Sequence, residues 1–281
     1  MKLQSNINST IDQIISLYLN SVNRSFPHLL EGFYLYGSIA LGDYSLELSD
    51  IDFIAVTKER LHDAEVAILN QVHREIESKY KKPNLNGIYL TWSDLGKLPE
   101  NTQPFPYFCD GVMHRSGYFE LNLVPWYELK VHGIRIIGPD ISTLEIEVDF
   151  EQLLSSMHQN LNEYWKNWIR KSSKRFSLAS LALYFRRADI EWGVLGITRL
   201  YYTFREQQIT SKAGAGEYAL KVVPARWHRV IQECIHTRRG EAKSLYVSKI
   251  QRKKDALGYM NYMMSESNKI FNSIINKRCE K

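Results

Sequence analysis

Residues 33–57, FYLYGSIALGDYSLELSDIDFIAVT, contain two apolar runs separated by a polar connection. The first run ends at Gly37, and the second follows Asp50 and Asp52. Short runs of aromatic and β-branched residues are typical of buried strands. The segment therefore predicts a strand, a tight turn, a connection and a second strand.

The polar residues of this segment suggest a site for a metal and a phosphate. Asp50 and Asp52 are two positions apart at the start of the second strand, and side chains with that spacing point to one face of a strand. Two converging carboxylates offer the hard oxygen ligands that suit Mg²⁺. Gly37 lets a ligand approach the backbone closely, and Ser38 adds a hydroxyl for a phosphate. Taken alone, an Asp-x-Asp pair is also common in solvated turns.

The joint pattern is narrower than its parts. Tyr36-Gly37-Ser38, followed about a dozen residues later by Asp50-Ile51-Asp52 and a strand, resembles the signature of the polymerase-β-like nucleotidyltransferases. Within that superfamily the chain resembles the aminoglycoside adenylyltransferases of the spectinomycin and streptomycin type. The resemblance implies an α/β (α+β) nucleotidyltransferase domain with a mixed sheet, followed by an all-α helical bundle domain.

Length and composition are those of an ordinary globular protein. The chain has 281 residues, of which 44% are hydrophobic and 24% are charged, so we expect two domains with substantial cores. The N-terminal segment has no long apolar run, and no apolar stretch is long enough for a membrane span. Cys109, Cys234 and Cys279 are widely spaced, which suits a reducing compartment and offers no zinc site. We therefore expect a cytoplasmic protein.

Charge divides the chain into two unlike halves. Residues 1–140 contain 12 Lys and Arg against 17 Asp and Glu, a net charge of −5, whereas residues 141–281 contain 24 against 14, a net charge of +10. Residues 124–140 resemble the segment that ends the nucleotidyltransferase domain in the aminoglycoside family. Together with this shift in charge, they predict domains at 1–145 and 146–281. The basic half is consistent with binding a triphosphate or a nucleic acid, and equally with solvated helix faces.

Periodicity predicts the remaining elements. We expect helices at 8–23 and 59–80, a strand at 86–92, a loop at 102–114, a further strand at 118–123, and a short helix from Pro125 before a strand at 134–137. From residue 150 onward the pattern is helical, and Trp165, Trp168 and Trp192 lie in apolar stripes that predict core packing.

The general base is the least determined part of the site. Nucleotidyltransferases of this kind usually carry a third carboxylate on the third strand, but residues 87–91 include no acid. A carboxylate is needed nearby because an attacking hydroxyl must lose its proton. Asp94, Asp110 and Glu120 are the nearest candidates, with Glu120 preferred, and His114 is a weaker one. Either the base comes from elsewhere, or the fold binds a nucleotide and has lost the transfer reaction.

The resemblance also assigns two residues in the helical half. Lys212 stands where the aminoglycoside adenylyltransferases have a lysine that reaches the nucleotide phosphates, and Asp189 stands where they have an aspartate that contacts the antibiotic. Both roles make chemical sense, because a triphosphate attracts an ammonium group and a cationic drug attracts a carboxylate.

We therefore expect a metal-dependent nucleotidyltransferase that moves AMP from ATP to a hydroxyl of a small molecule, with Mg²⁺ as the metal. The resemblance implies an aminoglycoside acceptor. The alternatives are a catalytically weak nucleotide-binding regulatory protein, or transfer to another acceptor such as a lincosamide or a nucleic acid. The scattered basic residues and the lack of a recognised binding motif argue against nucleic acid. We expect a monomer that does not associate with membranes.

Overall fold

The computed structural model describes residues 9–45, 48–174 and 177–279. Its backbone contacts divide the chain into two compact units, Met1–Asp149 and Phe150–Lys281. The sequence prediction placed the boundary after residue 145.

The first unit mixes strands and helices. In chain order its elements are α1 (Ser9–Ser25), β1 (Leu30–Tyr36), α2 (Gly37–Ala40), β2 (Ile51–Thr57), α3 (Asp63–Lys79), β3 (Leu85–Thr91), β4 (Phe105–Cys109), β5 (Val112–Gly117), α4 (Leu123–His132) and β6 (Ile134–Ile137). In the described part of the chain, these strands form a sheet in the order β5-β4-β3-β2-β1-β6. Strands β2 and β3 are parallel, and the other neighbouring pairs are antiparallel. The mixed sheet confirms the predicted fold class of this unit.

Alternate residues of the central strands pack on opposite faces of the sheet, as the strand period of two requires. Phe33 and Phe53 are fully buried with the apolar residues of α1 and α3. Tyr34 and Ile54 are fully buried on the other face, with Trp126 of α4. We call this second side of the sheet the α4 face.

The loop predicted at 102–114 is wrong, because most of it is the β4–β5 hairpin. The turn is Asp110-Gly111, and both residues have positive φ, 48° and 78°. This is the backbone of a two-residue hairpin turn, for which Asp-Gly is a preferred sequence. The prolines that suggested a loop are tolerated, since Pro106 lies at the register shift between Phe105 and Tyr107.

The strand predicted at 118–123 is also wrong. These residues form a turn that leads into α4, where the Asn122 side chain accepts a hydrogen bond from the Val124 backbone N–H at 3.0 Å. An asparagine at this position caps a helix start, so the alternation of apolar and polar residues was coincidental. The strand predicted at 134–137 coincides with β6.

The second unit is helical throughout its described residues. Its elements are α5 (Phe150–Asn160), a π-helical turn (Leu161–Trp165), α6 (Lys166–Ser173), α7 (Leu178–Phe185), α8 (Arg187–Glu206), α9 (Lys212–Val222), α10 (His228–Arg238) and α11 (Lys249–Cys279). This confirms the predicted helical class. None of the helices described in either unit is both long and apolar enough to cross a bilayer.

Two tryptophans pack directly on α8. A Cβ atom added at Gly196 would lie 2.6 Å from the Trp165 ring, and one at Gly193 would lie 2.8 Å from the Trp168 ring. The glycines therefore make room for the indoles. Trp192, in contrast, remains about one third exposed, at 36%.

A chain of polar groups crosses the core of the first unit between α1, β3 and α3. The hydroxyls of Tyr18 and Tyr89 are hydrogen-bonded to each other, and His73 Nε2 lies 2.7 Å from the Tyr89 hydroxyl. His73 is 1% exposed and stacks on Phe108 with ring centroids 3.7 Å apart. Burial lowers the pKa of His73 from its ordinary 6.5 to about 3. The folded protein therefore keeps this imidazole neutral at ordinary pH.

This buried histidine predicts a pH-dependent stability. As the pH falls below about 6.5, the unfolded chain binds a proton at His73 that the folded protein does not accept, so the free energy of unfolding decreases. Between pH 6 and pH 5 the loss from this group should be about 1 kcal/mol. Urea unfolding at several pH values, with the wild type beside His73→Gln, measures it. Parallel pH curves for the two proteins would contradict the assignment.

Candidate active site

The site begins where β1 and β2 pair. Tyr36, the last residue of β1, is the Cα partner of Asp52, so the chain turns out of the sheet at Gly37 directly beside that acid. Gly37 has a φ of 68°, and a Cβ atom there would overlap the Asp52 carboxylate, with Asp52 Cγ only 3.2 Å away. Only glycine fits this position without displacing the acid.

Asp52 belongs to the α4 face, because it shares the strand parity of Ile54, and Asp50 lies directly before β2 begins. The start of β2 is fixed by a 2.8 Å hydrogen bond from the Ile51 N–H to the Asn84 carbonyl. Asp50 has 33% of its side chain accessible, and its Oδ1 lies 3.9 Å from Lys82 Nζ. The two acids thus line one rim of the sheet.

Two buried hydroxyls lie in the connection between β1 and β2. Ser38 Oγ and the Tyr44 hydroxyl have no hydrogen-bond partner within residues 9–45, 48–174 and 177–279. Burial raises the pKa of Tyr44, and the negative charge of Asp50 raises it further. A buried hydroxyl without a partner is costly, so such groups mark places where a ligand or a water completes the bonding.

A row of side chains crosses the α4 face beside these acids. The parallel register pairs Asp52 with Asn86, and the β3–β4 register continues the row from Asn86 to Cys109. Together with Tyr36, the row has one side chain from each of four strands: Tyr36, Asp52, Asn86 and Cys109. The third-strand position beside Asp52 is occupied by an amide, which cannot serve as a proton acceptor at neutral pH.

Hydrogen bonding fixes the orientation of that amide. Asn86 Oδ1 accepts a hydrogen bond from the Asp110 backbone N–H at 3.2 Å, and Asn86 is 6% exposed. The same hairpin carries Cys109, whose pKa is raised to about 12 by burial first and then by the nearby carboxylates of Asp110, Glu120 and Asp50. The thiol at the end of the row is therefore neutral.

Glu120 reaches this row from the turn before α4. Its backbone has a φ of 51°, and its carboxylate accepts a hydrogen bond from the Tyr36 hydroxyl. Burial raises the pKa of Tyr36 well above its ordinary value, and the charges of Glu120 and Asp52 raise it further. The structure thus brings Glu120 to the acidic rim, although by a turn and not by the predicted strand.

Asp94, the second candidate base, is engaged in structural contacts. It accepts hydrogen bonds from the hydroxyls of Thr91 and Thr102, and its Oδ1 lies 2.7 Å from Arg60. Burial alone would raise the pKa of Asp94, but these hydrogen bonds and the guanidinium outweigh it and lower the pKa. With 3% exposure, Asp94 serves the fold.

The remaining base candidates lie on the hairpin. Asp110 is exposed at its tip, and the ring of His114 stacks on Tyr107 with centroids 4.4 Å apart. Neither contacts Tyr36 among the described interactions, so Glu120 is the candidate best placed beside the two acids.

Sequence reasoning missed two members of the row, Asn86 and Tyr36. Tyr36 was interpreted as a core aromatic at the end of a strand and as part of the motif with Gly37 and Ser38, without a role for its hydroxyl. Asn86 carried a usable signal, since it is a polar residue at the second position of an apolar strand, as Asp52 is in β2. The register that makes them neighbours is a property of the sheet and could not be obtained from either strand alone.

The two residues assigned by resemblance in the helical half lie at helix starts of the second unit. Lys212 is the first residue of α9, whose Ser211 cap accepts a hydrogen bond from the Gly214 N–H at 2.9 Å. Asp189 lies in the first turn of α8, with its Oδ1 3.3 Å from Arg186 Nε.

The residues at the rim fit Mg²⁺ by their chemistry. Within the described residues, no group of three or more His, Cys, Asp or Glu side chains forms a complete metal site. Mg²⁺ does not require one, because it is commonly held by one or two carboxylates together with waters and substrate phosphates. Asp50, Asp52 and the unpaired hydroxyl of Ser38 are all hard oxygen donors.

The chain is similar to one protein family and to several solved structures. Residues 146–266 match the family described as aminoglycoside adenylyltransferase, C-terminal domain. Among solved structures, the crystal structure of spectinomycin adenyltransferase AAD(9) from Enterococcus faecialis with ATP and spectinomycin is similar, with a TM-score of 0.66 and 18% sequence identity. The match covers 92% of this chain and 99% of that one. No curated protein sequence matches.

These matches agree with the resemblance drawn from the motif and support the expectation of an enzyme of the nucleotidyltransferase type. The family match begins four residues before the second unit and otherwise lies within that unit. The match to the solved structure also covers the sheet of the first unit. The C-terminal region is thus similar to the C-terminal domain of the aminoglycoside adenylyltransferases, and the fold is similar to that of a spectinomycin adenyltransferase.

Proposed function

We propose that the protein transfers AMP from ATP to a hydroxyl group of an aminoglycoside-type antibiotic, with spectinomycin as the first acceptor to test. The observation that carries the proposal is the contact of Gly37 with the Asp52 carboxylate, beside the unpaired hydroxyl of Ser38. The carboxylates of Asp50 and Asp52 can bind a metal, and the backbone at Gly37 has no side chain to keep a triphosphate away. The similar enzyme from Enterococcus faecialis, whose crystal structure contains ATP and spectinomycin, supports the choice of substrates.

Asp50 and Asp52 would hold Mg²⁺, and Gly37 and Ser38 would lie against the phosphates. When bound, the metal supplies charge neutralisation for the triphosphate and for the departing pyrophosphate. In the reaction the acceptor oxygen bonds to the α-phosphorus, and the bond from that phosphorus to the β-phosphate oxygen breaks. The electron pair of the broken bond leaves with pyrophosphate, and the proton of the acceptor hydroxyl passes to a base.

We assign that base to Glu120. It is the candidate carboxylate that contacts the row, through Tyr36, whereas Asp94 is bound to threonines and an arginine. A carboxylate beside an attacking hydroxyl contributes about 10²–10⁴-fold to such reactions.

Lys212 and Asp189 complete the proposal by resemblance. Lys212 would neutralise nucleotide phosphates, and Asp189 would attract an ammonium group of the antibiotic. Asp189 already binds a cationic side chain, since Arg186 lies 3.3 Å from its carboxylate. A cationic drug would take the place of that exposed arginine.

One observation favours a second candidate function, a nucleotide-binding protein without efficient transfer. Asn86 occupies the third-strand position beside Asp52, where an amide neither binds a metal as strongly as a carboxylate nor accepts a proton. Binding of Mg·ATP without transfer to any acceptor would identify this function.

The first test is mass spectrometry of spectinomycin, streptomycin and other aminoglycosides after incubation with protein and Mg·ATP, with pyrophosphate measured in parallel. We expect one drug to gain the mass of one AMP. Asp50→Asn and Asp52→Asn should each lower the rate by about 100-fold or more, because each removes a metal ligand.

The control is Asp63→Asn, which makes the same chemical change at an acid with 81% of its side chain exposed. It should transfer at nearly the wild-type rate. Near wild-type transfer by Asp50→Asn would refute the metal site, and pyrophosphate release by Asp63→Asn as low as by Asp52→Asn would point to a general effect of lost charge.

A second test separates two effects of a side chain at position 37, namely overlap with the Asp52 carboxylate and strain from the left-handed backbone conformation. Gly37 and Gly42 have nearly the same positive φ, 68° and 69°, but a Cβ atom at Gly42 meets nothing within 4 Å. Gly37→Ala and Gly42→Ala should both lose about 1–2 kcal/mol of stability, since each forces alanine into a left-handed conformation. Only Gly37→Ala should also weaken Mg·ATP binding, by about 10-fold or more, because it displaces Asp52.

Isothermal titration of Mg·ATP, together with urea unfolding, measures the two effects. Equal nucleotide affinity for the two variants would mean that Asp52 need not contact Gly37 for binding.

A further inference from the structure

The hydrogen bond between Tyr36 and Glu120 has a consequence beyond the fold. We propose that Tyr36 is a positioning residue, whose hydroxyl holds the Glu120 carboxylate at the acidic rim so that it accepts the proton of the attacking hydroxyl. The inference rests on the proposed function and adds to it the group that orients the base.

Glu120 needs such a partner because no strand or helix holds it. Its backbone is in the left-handed region, with φ 51°, in the turn between β5 and α4. The turn itself is anchored, since the Asn122 N–H donates to the Glu120 carbonyl at 2.9 Å and the Asn122 side chain caps α4. The side chain beyond it has three rotatable bonds, so its carboxylate requires a fixed partner to stay in one place.

Tyr36 is suited to supply this partner. It is the last residue of a buried strand, is 3% exposed, and is paired with Asp52 in the sheet. Burial raises the pKa of its phenol well above the ordinary value, and the charges of Glu120, Asp52 and Glu128 raise it further. The hydroxyl donates a hydrogen bond to the Glu120 carboxylate, which fixes where that carboxylate lies.

The third strand makes this arrangement necessary. At the position beside Asp52, Asn86 presents an amide whose oxygen already accepts the Asp110 N–H. A base must therefore approach the row from outside β3. Glu120 does so from the turn, and Tyr36 connects it to the strand that carries Gly37.

The test is a double-mutant cycle on AMP transfer with Tyr36→Phe, Glu120→Gln and the double variant. Tyr36→Phe keeps the aromatic ring and removes only the hydroxyl, so we expect kcat to fall about 10-fold or more while KM for Mg·ATP changes less than about twofold. Glu120→Gln should fall by about 100-fold or more. Because Tyr36 acts through Glu120, adding Tyr36→Phe to Glu120→Gln should cost no further activity.

The chain offers a matched control in Tyr34→Phe. Tyr34 lies two residues earlier on the same strand and face, and its hydroxyl donates to the Pro139 carbonyl at 3.0 Å. This variant loses a partly buried tyrosine hydroxyl of the same kind and should keep the wild-type kcat. Titration of Mg·ATP into each variant checks, without turnover, that the nucleotide site remains formed.

The outcomes separate the two levels of the proposal. If the wild type transfers AMP but the losses of Tyr36→Phe and Glu120→Gln multiply in the double variant, or if Tyr36→Phe raises KM and leaves kcat unchanged, the positioning role is overturned alone. If Glu120→Asp, which keeps a carboxylate but shortens its reach, works as fast as the wild type, accurate positioning is not needed and the inference also fails. If the wild type transfers AMP to no acceptor, the proposed function is overturned and this inference with it.

Discussion

The contact between the Gly37 backbone and the Asp52 carboxylate fixes the geometry of the acidic rim. It exists because the β1–β2 register pairs Tyr36 with Asp52, so that the chain must turn out of the sheet beside the acid. Any side chain at position 37 would occupy the space of the carboxylate. The β2–β3 register sets Asn86 on the far side of Asp52, and the β3–β4 register extends the row to Cys109.

The sequence was most informative where the chemistry depends on local spacing. The two-residue separation of Asp50 and Asp52 predicted that both lie on one face, because side chains alternate along a strand. In the structure β2 begins at Ile51, so only Asp52 lies within the strand. The apolar run at 134–137 likewise corresponds to β6, since short β-branched runs between breakers have few alternatives. The helical second half was equally accessible from its stripes.

The sequence was least informative where the chemistry depends on tertiary contacts. The hairpin of β4 and β5 was missed because its prolines suggested a loop, although one of them sits at a register shift. Glu120 was selected because it lay in an alternating pattern that predicted a strand. In the structure it lies in a turn and has a left-handed φ, and the turn places it at the rim. The sequence preferred Glu120 to Asp94 only through that pattern. In the structure their neighbours separate them, because Asp94 contacts two threonines and an arginine, whereas Glu120 contacts the Tyr36 phenol beside Asp52.

The charge of the rim determines what can bind there. Asp50, Asp52 and Glu120 lie around one strand end in a half of the chain with a net charge of −5, and their combined field is strong enough to raise the pKa of Tyr36 and of the Cys109 thiol, in addition to the effect of burial. A triphosphate brought to such a surface without cations would be repelled, because like charges at short range cost several kcal/mol in a partly buried site. Lys82 Nζ lies 3.9 Å from Asp50 Oδ1, but the lysine is half exposed, so it offsets the charge of that acid only weakly. In the proposed function, Mg²⁺ held by the two aspartates would offset this repulsion.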